Sequence, residues 1–139
     1  MKWVKMLPIF IIISIIILPV ILSGCSNVRG FSDPVAENIL VAINEKNYEK
    51  FSKDFDDNLK KQMTKEYFAD SLFDVDLIGT YKENSKKFVK SENVKGEYSD
   101  SNYTAVYYNV DFSVLKNQTL AIMFIKIGKD MKVSTLMFK

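Results

Sequence analysis

The chain has 139 residues, 19 of them basic and 17 acidic, with no histidine and a single cysteine. The missing histidine removes Ser-His-Asp and Cys-His catalysis and zinc sites built on imidazole. A near-neutral charge balance gives no basic footprint for nucleic acid, and one thiol makes neither an intrachain disulfide nor an iron–sulfur site.

The first element in the chain is a leader. Lys2 and Lys5 precede an apolar run, Met6 to Leu22, which ends in Leu22-Ser23-Gly24-Cys25. A positive start, an apolar middle and small residues before a processing point are the layout of a secretory signal. The last four residues resemble the lipobox of prokaryotic lipoproteins, which implies cleavage between Gly24 and Cys25 and lipid on Cys25. The rival reading is a permanent spanning helix. Its apolar run of 17 residues falls short of the roughly 20 that a bilayer core needs, and it holds Pro8 and Pro19. Under both readings the lysines keep the N-terminus cytoplasmic and the rest of the chain on the extracytoplasmic face.

Two acyl chains, as the lipobox implies, suffice for stable anchoring where one is marginal. The membrane is then a partner through the lipid on Cys25. Residues 1–24 are signal, 25–32 are the lipidated cysteine with a short tether, and 33–139 are one domain. An extended tether spans at most about 3.3–3.6 Å per residue, so the domain is expected to ride close to the bilayer. From Cys25 onward the charges balance, with 17 basic residues, 19 less the two leader lysines, against 17 acidic.

The next stretch predicts three helices. Asp33-Pro34 reads as an N-cap with proline at the first helical position, followed by Val35, Ile39, Ala42 and Ile43 at helical spacing. Asn47 caps a second helix in which Tyr48, Phe51, Phe55, Leu59 and Met63 face inward, with Lys50, Lys53, Asp54, Asp57, Lys60 and Lys61 opposite. Thr64 caps a third, with Glu66 favourable against the helix dipole and Tyr67, Phe68, Leu72 and Val75 inward. Gly79 ends the helical half.

After Gly79 the periodicity changes to two. Phe88 to Val94 reads as a polar edge strand, and Gly96 to Asn102 as a turn. In the strand Tyr103 to Val114 the even positions are mostly apolar and the odd ones mostly polar or small, which predicts one buried face. Lys116-Asn117-Gln118 and Gly128-Lys129-Asp130 then turn the chain into strands Thr119 to Ile127 and Met131 to Phe138. Thr119 to Ile127 is apolar on both faces. Two explanations compete: a strongly curved sheet that wraps its own core, or an interface with a second copy or an envelope protein across Tyr107, Met123, Ile125, Val133 and Met137.

Helices followed by a meander of long strands resemble the cone-shaped α+β fold of the nuclear-transport-factor-like (cystatin-like) superfamily. Within it, the helical half is similar to a lipoprotein-associated family, domain of unknown function 3887. The residues that carry this are Ala36-Glu37-Asn38-Ile39-Leu40, Asn47-Tyr48-Glu49-Lys50-Phe51-Ser52, Phe55-Asp56, Met63-Thr64 and Ile78-Gly79-Thr80-Tyr81. The resemblance implies three N-terminal helices closing a curved antiparallel sheet of about four strands, sometimes with a pocket at the open end. It carries over no catalytic set. Phe73, Tyr81 and Tyr108 are the candidate lining of such a pocket, for a small apolar or lipid-like ligand.

Chemistry beyond binding has little support. Asp54, Asp56 and Asn58 have the spacing of a calcium loop, but Leu59 stands where glycine is wanted and Lys65 where glutamate is. Asp74 and Asp76, with Gly79 at position six, end on Ser85. The expectation is therefore no metal and no cofactor. Asp111, among Tyr107, Asn109 and Ser113, is the one candidate acid or base. Ranked in order, the readings are a non-catalytic binding or assembly module, a carrier of a small apolar ligand, and an acid–base enzyme.

Overall fold

The structure, a computed structural model, describes residues 23–72, 75–96 and 100–139. The apolar run Met6 to Leu22, like Phe73, lies outside the described residues. These residues form an α+β domain with a four-stranded antiparallel sheet. The helical half comprises α1 (Ser23–Asn44), α2 (Tyr48–Phe51), α3 (Asp57–Gln62), α4 (Lys65–Tyr67), a π-helical turn (Phe68–Leu72) and α5 (Val75–Ile78). The strands β1 (Lys87–Lys95), β2 (Asn102–Val110), β3 (Gln118–Ile127) and β4 (Asp130–Phe138) pair in sequence order. No helix of the described residues is long and apolar enough to cross a membrane.

The first helix begins earlier than Asp33-Pro34 predicts. The stretch 25–32, expected as an extended tether, is helical and continuous with the domain. Proline inside a helix removes one hydrogen bond, here to the Gly30 carbonyl, and costs about 3 kcal/mol. Gly30 and Pro34 both face solvent, so the freed carbonyl lies on the exposed side of the helix. The turn ahead of Pro34 is held from the core. Phe31 packs edge-on against Phe124, with ring centroids 5.1 Å apart, and Ser32 is wholly buried. Tertiary contact outweighs the local start signal.

The single helix expected from Asn47 to Met63 is broken in two. Phe55 forms a parallel bridge with Val133 on β4. Val133 donates its N–H to the Asp54 carbonyl and accepts from the Asp56 N–H, both at 2.8 Å. Asp56 then restarts the helix, its carboxylate accepting from the Leu59 N–H at 2.7 Å. Asp54 and Asp56 of the rejected calcium loop are thus backbone ties and a cap. Asn47 and Thr64 cap α2 and α4 as expected.

The strands follow the alternation. Val106, Tyr108, Leu120, Ile122 and Phe124 point inward and are fully buried against Ile39, Leu40, Ile43, Phe51 and Phe55 of the helical half. Each such side chain contributes about 1.5–3 kcal/mol by leaving water. The edge strand β1 is largely exposed and carries Lys87, Lys90 and Lys95, charges that discourage pairing with another sheet. β2 ends at Val110 rather than Val114, and Val114 is exposed. Beyond Val110 the chain folds back, with Phe112 bridged to Tyr81.

A bulge in β4 corrects one expectation about the outer face. Met123 pairs with Thr135 but Phe124 pairs with Val133, leaving Ser134 as the extra residue. The bulge turns Val133 onto the inner face beside Phe55 and Phe124, where it is completely buried. Val133 is core and belongs to no outer surface.

Candidate binding site beside β4

A pocket of about 350 Å³ opens where the end of β4 meets the helical half and the β2–β3 turn. That volume lies within the roughly 300–1,000 Å³ of ligand sites. Leu136, Met137, Phe138 and Lys139 form one wall, Met63, Tyr67 and Ile78 a second, and Phe112, Leu115 and Gln118 a third.

Each wall has a local cause. Met63 follows α3 and is fixed by the Tyr48 hydroxyl, which donates to its carbonyl at 2.9 Å. The Thr64 cap starts the turn that presents Tyr67. Ile78 precedes Gly79, whose φ of +82° belongs to the left-handed region and reverses the chain. A side chain at Gly79 would drive into the Ser113 hydroxyl and the Val114 nitrogen, so glycine is what allows the two segments to touch. Val114 and Leu115 donate their N–H groups to the Ile78 carbonyl at 3.3 and 3.1 Å, which brings the third wall against the second.

The rim is apolar and wet. Tyr67 is 45% exposed, Leu115 40% and Met137 42%, and Leu77 and Val114, next in sequence to the lining residues Ile78 and Leu115, are also exposed. Among the described residues these five make up most of the large apolar side chains left in solvent. Grouped exposure of that kind marks a contact surface.

Two of the residues proposed as pocket lining from sequence, Tyr81 and Tyr108, do other work. Tyr108 is fully buried; its hydroxyl donates to the Asp33 carboxylate at 2.8 Å and accepts from the Ser32 hydroxyl at 2.7 Å. Burial, reinforced by Asp33, pushes this phenol above its ordinary range. Tyr81 is buried, and its hydroxyl donates to Glu37 at 3.2 Å. Burial and the Glu37 charge push it up to about 12. Tyr108 pins α1 to the sheet, Tyr81 pins it to the segment ahead of β1, and neither lines the pocket. Lys86 joins the same seam, donating to the Asp33 carbonyl at 2.7 Å and pairing with Glu37 at 3.1 Å.

Asp111 serves the β2–β3 turn. Its carboxylate accepts from the Asn117 N–H at 2.9 Å, and its carbonyl accepts from Lys82 N–H at 2.9 Å. Nearby, the Lys116 ammonium donates to the Phe112 carbonyl at 2.6 Å. Loss of water around it, and then the Lys82 charge, hold Lys116 below its usual range.

The proposed interface residues divide. Tyr107, Met123 and Ile125 are half-buried on the outer face, and Met137 is exposed at its end. Tyr107 donates to Glu92 at 2.8 Å beneath the Lys90 ammonium, and Ala105 and Ala121 are buried among these larger neighbours. Residues of α3 border the hollow that also contains Met123 and Tyr103. Part of this face is covered by the chain itself.

Sequence reasoning missed Tyr67 and Leu115 as site residues. The available signal was Val114-Leu115, an apolar pair set inside a turn otherwise made of Ser, Lys and Asn. No three or more carboxylates or thiols are grouped to hold a metal among the described residues. No family model matches the chain, and no curated protein or solved structure shows significant similarity to it.

Proposed function

We propose that the protein is an extracytoplasmic lipoprotein, held at a membrane by lipid on Cys25, and that it works as a non-catalytic binding module. Its binding surface is the pocket beside β4. The observation that carries this reading is the concentration of exposed apolar side chains on the rim of a ligand-sized apolar pocket. The pocket's lining residues include no carboxylate or thiol side chain and no serine, so the site suits recognition more than bond-making. The finer architecture, a cone of the cystatin-like type closed by the helices, belongs to the same proposal and is supported by the element order. The Leu22-Ser23-Gly24-Cys25 run supports the anchor.

Two measurements test the halves separately. Labelled fatty acid should appear on the protein and vanish with Cys25→Ser; an unlabelled wild-type chain sinks the anchor. An environment-sensitive apolar dye should brighten on the protein, and Leu115→Asp, a change on the exposed rim, should abolish the signal without altering the circular dichroism. A dye response that survives Leu115→Asp would remove the pocket from the proposal. Association through the outer face is the second reading, supported by exposed Met137 and half-buried Met123 and Ile125. A monomer at high concentration removes it.

A further inference from the structure

The contacts of α1 give its direction over the sheet. Asn44 bonds the backbone of Tyr81, which is bridged to Phe112 just beyond the end of β2. Ser32 reaches Tyr108, earlier in that strand, and Phe31 meets Phe124, which is paired with Thr104, earlier still. Followed back from Asn44 to its start, α1 therefore travels toward the end of the sheet where β3 turns into β4. Position 25 lies six residues before Phe31, about 9 Å along the axis at ~1.5 Å per residue. Ile127, the last residue of β3, lies three residues beyond Phe124, about 10 Å along the strand at ~3.3 Å per residue. The start of α1 and the β3–β4 hairpin are thus level with one another, at the same end of the domain.

That hairpin is basic and carries an exposed apolar side chain. Residues 126–132 hold Lys126, Lys129 and Lys132 against Asp130 alone. Lys126, Ile127 and Lys129 are exposed, Ile127 by 51%. A hollow beside Ile125, Ile127 and Lys132 is completed at α3 by Asp56, Asp57, Lys60 and Lys61, whose charges cancel and leave the hairpin's excess intact. An isoleucine in water among ammonium groups fits a surface that is negative outside and apolar beneath. The surface at this end is the bilayer, because α1 starts at Ser23, directly after the apolar run Met6 to Leu22, and carries Cys25. We propose that the β3–β4 hairpin is a second membrane contact, in which Ile127 enters the headgroup layer and Lys126, Lys129 and Lys132 meet anionic phospholipids. The inference rests on the chain being held at a membrane beside residue 25, and adds the surface by which the domain lies against it.

The full chain, labelled with ¹³C at the isoleucine and methionine methyls, is placed in lipid discs in which some headgroups carry a nitroxide. In discs of phosphatidylglycerol with phosphatidylcholine, the Ile127 methyl is expected to broaden, while that of Met137, toward the other end of β4, stays sharp. Changing Lys126→Gln and Lys129→Gln, both exposed, should lower the ratio of docked to undocked molecules about fivefold for each lysine removed. Phosphatidylcholine alone should lower it further, and raised salt should act in the same direction. An Ile127 methyl that stays sharp in the anionic discs, on a chain shown to carry fatty acid, overturns the docking and leaves the anchor standing. Broadening of Ile127 on a chain without fatty acid supports the docking and removes only the lipid from Cys25. Equal broadening in anionic and neutral discs overturns the assignment of anionic lipid, and broadening of Met137 in place of Ile127 overturns the choice of surface.

Discussion

Ser32 and Tyr108, 76 positions apart in the chain, meet in the core through a 2.7 Å hydrogen bond between their hydroxyls. Asp33 accepts from the same phenol at 2.8 Å, so the first helix is registered on the sheet by a polar contact inside an apolar core. Removing the phenol oxygen leaves Ser32 buried without its partner. Tyr108→Phe is therefore expected to destabilise by about 1–3 kcal/mol, read as a lower urea midpoint at unchanged slope. A double-mutant cycle with Ser32→Ala should recover part of that loss, because both partners are then gone.

Gly79 is expected to tolerate no side chain. Its positive φ disfavours any other residue, and a Cβ would meet the backbone and side chain of the β2–β3 turn. Gly79→Ala should cost more than ~1 kcal/mol and should also weaken apolar dye binding, since it pushes apart two walls of the pocket. Thermal unfolding and dye titration on the same sample check both effects.

Asp56 and Asp57 are adjacent acids with unequal roles. The Asp56 carboxylate caps α3, while Asp57 is exposed in the first turn. Asp56→Ala should cost about 0.5–2 kcal/mol, against a few tenths, on the order of 0.3–1 kcal/mol, for Asp57→Ala. Comparable losses at the two positions would contradict the cap.

Stability should fall in alkaline solution. Burial raises the Tyr108 and Tyr81 phenols above the ordinary value of 10, Tyr81 to about 12. Between those values the folded chain keeps protons that the unfolded chain has released, so ΔG of unfolding decreases as pH rises. The contribution is complete below pH 10 and is lost on passing the folded pKa. Urea midpoints measured from pH 9 to 12 should decline, and less steeply in Tyr81→Phe.

Much of the sheet could be read from the residues. The polar turns Lys116-Asn117-Gln118 and Gly128-Lys129-Asp130 place β3 and β4 to within a residue of where they lie, because short polar loops between apolar runs mark hairpin ends directly in the sequence. The break at Phe55 and the inward turn of Val133 could not be read, and they share one cause. Phe55, Asp54 and Asp56 meet Val133 across 78 positions of chain, and neither segment alone shows that its partner exists. The same holds for α1. Asp33-Pro34 is a sound local start signal that Phe31 and Ser32 override through contacts with Phe124 and Tyr108. Of the candidate lining residues, Tyr81 and Tyr108 are buried seam residues outside the pocket beside β4, one wall of which comes from the β2–β3 turn, where no period announces it.

Because α1 is already helical at position 25, whatever that position carries is geared to the domain and not slung beneath it. Each residue inserted ahead of Val28 would swing the attachment point through about 100° around the axis. Under the proposed anchor at Cys25, the molecule's bearing toward the membrane would be set like the teeth of a cog, and a linker of equal length but no helix would let it spin.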